Sequence, residues 1–159
     1  MLKHLIVGEA PNRRGHHLTL VGLGRLLGIS SIEASEAFDR MNVFPYWLGS
    51  STSGKGDWWD PVESAKIVEI LRSRGFFGSP DYPRKRVILM GKRVARAFGL
   101  EKLEYFDRIA VIDEPHRSAT EHVVVPHFSG VNRWWNDESN RTLARKKWKK
   151  WLKEAQKDA

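Results

Sequence analysis

The stretch that decides the fold is "RVILMGKRVARAFGL", residues 86–100, in which an apolar run passes through one glycine into a helical pattern. The run "RVILM" is short and continuously apolar, which predicts a strand buried on both faces. The segment "GKRVARAFGL" predicts a short helix directly after it. A strand that passes into a helix in this way is typical of a parallel sheet covered by helices.

Other strand-like runs lie on both sides of this unit. "KHLIVGEA" (3–10) predicts a first buried strand that ends in a turn, and "MNVF" (41–44) predicts a second one. The segments "YFDRIAVID" and "HVVVPHF" include further strand-like runs. Because strands alternate with helices, we predict one α/β domain over residues 1–159. Its expected architecture is a three-layer α/β/α sandwich with a short, mostly parallel, four-stranded sheet.

Helix boundaries are marked by capping residues. Ser30 and Glu33 are spaced as a capping box, and Asp60 with Pro61 predicts the start of the clearest helix, which Gly75 ends. A basic helix is predicted over about residues 140–157. The apolar side chains expected to face the core are Ile67, Ile70 and Leu71 in the first of these two helices, and Leu143, Trp148, Trp151, Leu152 and Ala155 in the second.

The composition narrows the kinds of protein that this chain can be. Its 159 residues are 41% hydrophobic and 11% aromatic, which is typical of a folded globular domain. No apolar run reaches the roughly 20 residues of a membrane helix, so we expect no membrane partner. With no cysteine, disulfides, thiolate catalysis and cysteine-ligated zinc or iron–sulfur centres are excluded. We therefore expect a cytoplasmic protein.

The positive charge is concentrated at the C-terminus. The net charge is +8, and the residues from Arg141 onward contain eight Lys or Arg against two Asp or Glu. A basic segment of this kind indicates a polyanionic partner, most often nucleic acid. A solvated helix face explains the same pattern, so charge alone does not decide between the two.

Polar turns follow three of the predicted strands. They are "GEAPN" after the first, "PYW" after "MNVF", and "PHFSGVNR" after "HVVV". In parallel sheets, ligands bind at the carboxyl ends of the strands. We therefore expect Glu9, Asn42 and His127 to lie near one another. Asn42 is notable because an amide in an apolar strand needs hydrogen-bonding partners.

A glycine-rich segment, "GLGRLLG" (22–28), has a superficial likeness to a dinucleotide-binding loop. Leu27 occupies the place of the third glycine in G-x-G-x-x-G, and the segment does not directly follow the first strand. Close helix packing is the preferred interpretation of these glycines.

Taken together, these segments resemble the uracil-DNA glycosylase superfamily, in particular its iron–sulfur branch. "GEAPN" is similar to G-E-A-P-G, "TLVGLGRLL" to P-F-V-G-x-A-G-x-L-L, and "MNVFP" to T-N-V-V-K. "DPVESAKIVEIL" corresponds to the P-x-x-E-E helix, and residues 86–100 to V-I-V-A-L-G-x-x-A-x-x-x-L-L-G. "HFSGVNR" is similar to H-P-S-x-L-L-R. Each motif is moderately specific, and their shared order strengthens the resemblance.

The resemblance implies a role for each matching residue. Glu9 would position or activate the attacking water, and His127 would donate a hydrogen bond to the carbonyl oxygen of the leaving base. Asn42 would read the base edge. Further base contacts would come from Ala10, Leu20 and Phe44. The residues implied to contact DNA are Arg13, Arg14, Ser129, Gly130, Val131, Asn132 and Arg133, with Val131 at the position of the wedge.

The chain departs from the family pattern in several places. The missing cysteines exclude the usual cluster, and we expect no metal or redox cofactor. Leu20 replaces the aromatic residue that stacks on the base, so Phe44, Tyr46 or Phe128 would have to supply a ring. The segment "NRRGHH" replaces an acidic run, and Phe128 replaces the proline of the last motif.

The function implied is a monofunctional DNA glycosylase, acting as a monomer on uracil or a related deaminated or modified base. A carboxylate near the sugar and a donor at the base oxygen stabilise the charges that develop when an N-glycosidic bond breaks. Two alternatives remain open from the sequence. One is an inactive module that binds DNA or a modified base, and the other is an enzyme acting on free nucleosides or nucleotides.

Overall fold

The structure is a computed structural model that describes residues 3–10, 18–46, 48–49, 59–113, 118–128 and 132–157. Its elements alternate between strands and helices along most of the chain. The strands are β1 (Lys3–Gly8), β2 (Phe38–Asn42), β3 (Arg84–Met90), β4 (Arg108–Asp113) and β5 (Ser118–Val125). The α-helices are α1 (Leu18–Leu27), α2 (Ser31–Ala37), α3 (Pro61–Ser73), α4 (Lys92–Ala97) and α5 (Glu138–Lys157), and a 3₁₀ turn covers Arg133–Asn136.

The five strands form one sheet in the order β2-β1-β3-β5-β4. Strands β2, β1, β3 and β5 are mutually parallel, whereas β4 is antiparallel to β5. The predicted α/β fold with a mostly parallel sheet is therefore confirmed. The predicted count of four strands is one too low. The extra strand, β4, returns along β5 at the edge of the sheet, with Ile109 opposite His122.

Helices cover both faces of the sheet. On one face, α1, α2 and α5 bury a cluster that includes Leu23, Phe38, Trp148 and Trp151. On the other face, α3 and α4 bury a second cluster around residues such as Val68. Burial between two such layers explains why the second halves of β3 and β5, residues 87–90 and 123–125, are continuously apolar. No helix among the described residues is long and apolar enough to cross a membrane.

The predicted helix caps are confirmed. The Ser30 hydroxyl accepts the backbone N–H of Glu33 at 3.1 Å, and the Glu33 carboxylate accepts the Ser30 N–H at 2.8 Å. The Asp60 carboxylate accepts the backbone N–H groups of Val62 and Glu63 at 2.8 and 3.0 Å. Each cap satisfies N–H groups that the first turn of a helix leaves without partners.

Two predicted core residues face solvent instead. Ile70 is 52% exposed, and Val68, two positions earlier, is buried in its place. Leu143 is 41% exposed, and the neighbouring Ala144 is buried. In each helix the exposed apolar residue is rotated by about 100° or more around the helix axis from the residue that is buried. Contact with the sheet decides which of the two faces the core. Strand β2 also begins and ends earlier than the predicted 41–44, because it starts directly at the end of α2.

Candidate functional site

The candidate site lies at the edge where four parallel strands end. Asn42 is the last residue of β2, Glu9 directly follows β1, and His127 lies two residues beyond β5. Because β2, β1, β3 and β5 are parallel, these ends share one edge of the sheet. The side chains that the sequence placed at strand ends are thus brought to the same side of the molecule.

Gly91, which directly follows β3, lies close to both Glu9 and His127. A Cβ atom built on Gly91 would lie 3.3 Å from the His127 Cβ and 4.0 Å from Glu9 Oε1. Its φ of 90° is in the region that favours glycine, and its N–H donates to the Val125 carbonyl at 2.8 Å. The carboxylate and the imidazole therefore both approach the space that a side chain at position 91 would occupy.

Asn42 lies on the other side of Glu9, one strand away. Its register partner is Gly8, and a Cβ atom built on Gly8 would be only 2.6 Å from Asn42 Oδ1. The amide therefore lies directly over the Gly8 backbone, in space that a larger residue would fill. Beyond the strand, the Val43 N–H donates to the backbone carbonyl of Gly8 at 2.9 Å, and the Phe44 N–H donates to the backbone carbonyl of Glu9 at 3.0 Å. These two bonds hold the end of β2 beside Glu9.

Glu9 has a basic neighbour from the first turn of α4. Its Oε2 lies 3.5 Å from the Arg93 guanidinium, and the two side chains are 22% and 47% exposed. An ion pair this long and this exposed contributes little to folding stability. The other oxygen, Oε1, is the one directed toward Gly91. One carboxylate oxygen thus faces the space near His127 while the other contacts a cation.

The turn after β5 is held in place through the backbone of His127. The His127 carbonyl accepts the Trp135 indole N–H at 2.7 Å and the Asn132 amide N–H at 3.2 Å. The Asn132 Oδ1 in turn accepts the Trp134 N–H at 3.1 Å. Burial raises the pKa of the Tyr105 phenol, an effect that its hydrogen bond with Asn132 opposes. The observed contacts of Asn132 support His127, and its contact with DNA stays a prediction.

Helix α1 approaches this turn closely. A Cβ atom built on Gly22 would lie 2.8 Å from the Phe128 ring, which stacks on Trp135 with centroids 5.0 Å apart and an interplanar angle of 17°. Gly22 therefore serves close packing, as the interpretation of "GLGRLLG" expected. The Phe128 ring packs between α1 and the turn after β5.

The predicted base-contacting residues differ in how much surface they offer. Leu20 is 6% exposed and Phe44 is 2% exposed, each within the core, and Ala10 is half-buried. Phe44 meets Trp59 edge-on at 5.3 Å. Tyr46, by contrast, is 61% exposed, with its ring 6.2 Å from that of Phe44. Of the three rings considered as replacements at the base, Tyr46 has the most open face. Base contact by these side chains stays a prediction.

The predicted DNA-contacting residues fall mostly outside the described residues. Those outside are Arg13, Arg14, Ser129, Gly130 and Val131. Arg133 is described, and its side chain is exposed at the start of the 3₁₀ turn. Its position beside the turn that carries His127 is compatible with a phosphate contact, which also stays a prediction.

Sequence reasoning missed two residues of this site, Gly91 and Arg93. Both belong to "MGKR" (90–93), which follows the third strand in the same way that "GEAPN" follows the first. A glycine and two basic residues at a strand end were a usable signal. These three residues were interpreted as the start of the helix predicted over residues 91–100 and not as a fourth polar turn.

Comparisons with known proteins do not identify a family. No protein-family model matches this chain, and no curated protein matches it. The function is therefore argued from the geometry at the strand ends.

Proposed function

We propose that this protein is a DNA glycosylase that hydrolyses the N-glycosidic bond of uracil or a related deaminated or modified base. The observation that supports the proposal is that Glu9 Oε1 and His127 Cγ both lie 4.0 Å from the point that a Cβ atom on Gly91 would occupy. Asn42 adds an amide one strand away. An acid group, an imidazole and an amide at one edge are the groups that this reaction uses.

The chemistry assigns one role to each of the two flanking groups. When the bond between the sugar C1′ and the base nitrogen breaks, its electron pair leaves with the base and positive charge develops on the sugar. The Glu9 carboxylate stabilises that charge and orients the water that bonds to C1′. A hydrogen bond from His127 to a carbonyl oxygen of the base stabilises the departing negative charge. The products are a free base and an abasic sugar.

Asn42 is suited to reading the base. A side-chain amide offers both donors and an acceptor, so it discriminates the edge of one base from that of another. Its position over Gly8 fixes the amide in a half-buried setting, where a mismatched polar edge would be left without partners. The ring of Tyr46, which is 61% exposed, would stack on the same base.

The positive charge of the chain favours DNA over a free nucleotide as the substrate. The net charge of +8 and the exposed Arg93 and Arg133 would attract a phosphate backbone. A base inside a duplex must be rotated out of the stack before it can enter such a site, and phosphate contacts offset that cost. Because all the proposed groups come from one chain, we propose a monomer. A cysteine-free chain needs no oxidising compartment, so the proposed location is the cytoplasm.

A panel of oligonucleotides tests the proposal. Duplex and single-stranded DNA carrying uracil, hypoxanthine or other modified bases would be incubated with the protein and then treated with alkali, which cleaves abasic sites. We expect strand cleavage for at least one base. We expect the Glu9→Gln variant to excise that base about 10²- to 10⁴-fold more slowly, the usual range for a lost catalytic acid or base. Glu36→Gln, at an exposed position on α2, is the matched control and should retain the full rate.

The same panel separates the alternatives. If the protein shifts DNA in a gel but leaves no alkali-labile site with any base, it is a binding module and not an enzyme. If it releases bases from free nucleosides at a rate that salt does not change, its substrate is a small molecule. Absence of both binding and release would overturn the proposal.

A further inference from the structure

The solvent-exposed face of α5 carries a continuous row of lysines. This lysine stripe, as it is called below, consists of Lys146, Lys149, Lys150, Lys153 and Lys157. Steps of three and four residues place them on one side of the helix. All five are exposed, and together with Glu154 they line a shallow groove along α5.

Most of the charge on this stripe is not neutralised within the described part of the chain. Lys150 lies 4.0 Å from Glu154, and no ion pair with the described residues joins the other four lysines. Burial alone would raise the pKa of Glu154, but the hydrogen bond and the charge of Arg86 outweigh it and lower that pKa. Like charges three and four residues apart destabilise a helix. Because the row of lysines destabilises the helix that carries it, we attribute the row to binding of an anionic ligand.

The stripe is presented on a firmly anchored helix. The opposite face of α5 buries Ala144, Trp148, Trp151 and Ala155, and the two indole rings meet edge-on at 4.9 Å. A helix docked through two buried tryptophans keeps its exposed side chains at fixed spacing. The ligand would therefore meet a preformed row of cations.

Helix α5 carries the stripe away from the candidate site. At its start, the Arg141 guanidinium donates to the Trp135 carbonyl at 2.7 Å, next to the turn that holds His127. Farther along, the Trp151 carbonyl accepts the His4 Nε2–H at 3.1 Å, at the beginning of β1. From His4 to Glu9 a strand rises about 16 Å. The lysines from Lys150 onward therefore lie near the edge where the strands start, remote from Glu9.

We propose that the lysine stripe is a second nucleic-acid surface, which binds the phosphate backbone of a DNA segment other than the one that supplies the base. The choice of DNA as the polyanion rests on the proposed function. Because the part of the stripe from Lys150 onward lies at the opposite edge of the sheet from Glu9, a short oligonucleotide in the site does not reach that part of the stripe. Longer DNA, or a second DNA molecule, does.

The test compares two quadruple variants with equal loss of charge. The stripe variant is K146Q/K149Q/K150Q/K153Q, and the control variant, K66Q/R74Q/R96Q/K102Q, removes four exposed cations on the side of α3 and α4. Affinity for an undamaged 30-base-pair duplex is measured from 50 to 200 mM salt. Each phosphate contact contributes about 0.9 to the slope of log affinity against log salt. The control variant keeps the phosphate contacts of the stripe, so its binding remains sensitive to salt. Between 50 and 200 mM salt we therefore expect the affinity of the control variant to fall about 100-fold more than that of the stripe variant.

Excision from an eight-nucleotide oligonucleotide provides the second measurement, and we expect the stripe variant to match wild type there. Equal salt slopes for the two variants would overturn the inference, as would loss of binding to phosphatidylserine vesicles without loss of binding to DNA. The duplex carries no altered base, so its binding does not depend on catalysis. If excision is absent but the slopes differ, the proposed function fails and this inference stands. If excision is present and the slopes are equal, the proposed function stands and this inference fails.

Discussion

The two edges of the sheet both carry charged side chains, but they arrange them differently. At the edge where the parallel strands start, Arg86 is 7% exposed and is held by Glu121 and by Glu154, the latter at 3.0 Å. At the edge where they end, the Glu9 carboxylate has one basic neighbour among the described residues, Arg93, at 3.5 Å. The paired charges at the first edge have their hydrogen-bonding capacity largely filled. At the second edge the Glu9–Arg93 pair is longer and more exposed to solvent, with side chains 22% and 47% exposed.

His4 and His127 show the same contrast between two imidazoles. His4, near the start of β1, is fully buried and donates its Nε2–H to the Trp151 carbonyl at 3.1 Å. His127, beyond the end of β5, is half-buried, and it is its backbone carbonyl that two donors hold. The first histidine therefore contributes to folding, whereas the second is positioned with its ring next to Gly91. Substitutions at the two edges should accordingly separate stability from activity.

The largest expected effect on stability comes from Arg86→Met. The substitution leaves Glu121 and Glu154 without their shared guanidinium. Because both carboxylates are partly exposed and keep Arg108 and Lys150 as neighbours, we expect a loss of about 3 kcal/mol, the lower end of the range for a broken buried ion pair. Urea unfolding should show this loss, while the excision rate at a temperature where the variant is folded should equal that of wild type. Arg96→Met, at an exposed position on α4, is the control for the loss of one cation. Loss of excision with unchanged stability would contradict the division between the two edges.

The next effect is a dependence of stability on pH. Burial lowers the pKa of His122 to about 4, an effect that the Thr120 carbonyl opposes and the charge of Arg72 reinforces. Burial, reinforced by Arg86, also lowers the pKa of His4 to about 4, against the opposing effects of Glu154 and the Trp151 carbonyl. In the unfolded chain both titrate near 6.5, so unfolding takes up protons between pH 6.5 and 4. Their contribution is complete above pH 6.5 and falls as the pH decreases, by roughly 2–3 kcal/mol per histidine.

The difference between wild type and His122→Leu isolates this effect from the titration of carboxylates. The free energy of unfolding of the variant should fall less steeply between pH 7 and 5, because one of the two protonations is removed. The measurement is a series of urea unfolding curves across that range. Parallel pH profiles for the two proteins would show that His122 does not take up a proton on unfolding.

A smaller effect separates steric from conformational roles at the two ends of α4. Gly91 and Gly99 both have positive φ, of 90° and 71°, so an alanine at either position is strained by about 1–2 kcal/mol. At Gly91 the added methyl also meets the His127 Cβ at 3.3 Å, whereas at Gly99 no atom of the described residues lies within 4 Å of it. We expect both alanine variants to be destabilised and only Gly91→Ala to lose excision, by about tenfold or more. Equal rates would mean that His127 adjusts without cost.

The sequence predicted most of the fold because its local signals agree with its packing. Continuous apolar strands, the Ser30–Glu33 box and the Asp60 cap each specify an element without reference to the rest of the chain. The errors at Ile70 and Leu143 arose where two apolar stripes compete on one helix, since only contact with the sheet decides between them. The run that forms β4, within "YFDRIAVID", was recognised as strand-like, but the sheet was predicted with one strand too few, because its antiparallel pairing with β5 is a tertiary contact that the sequence pattern does not reveal.

Only those features of the candidate site that follow from the order of strands and helices could be predicted from the sequence. Parallel strands bring their ends to one edge, so the positions of Glu9, Asn42 and His127 followed from the order of elements. The closeness of Gly91 to two of them depends on a backbone angle and on the turn that Trp135 holds. Likewise, the sequence pattern does not distinguish the buried Phe44 from the exposed Tyr46, because Phe44 is buried by a tertiary contact with Trp59.

The smallest expected effect concerns Tyr46, and it sharpens the comparison because it tests whether the strand-end edge holds a base at all. Stacking of a base on an aromatic ring contributes about 1–3 kcal/mol, so Tyr46→Ala should weaken binding of DNA that carries the excised base by roughly tenfold. Binding of undamaged DNA, which leaves the base in the duplex, should not change. Tyr46→Phe retains the ring and should bind like wild type. If Phe weakens binding as much as Ala does, the hydroxyl and not the ring makes the contact, and the base lies beside Asn42 in an orientation other than stacked on Tyr46.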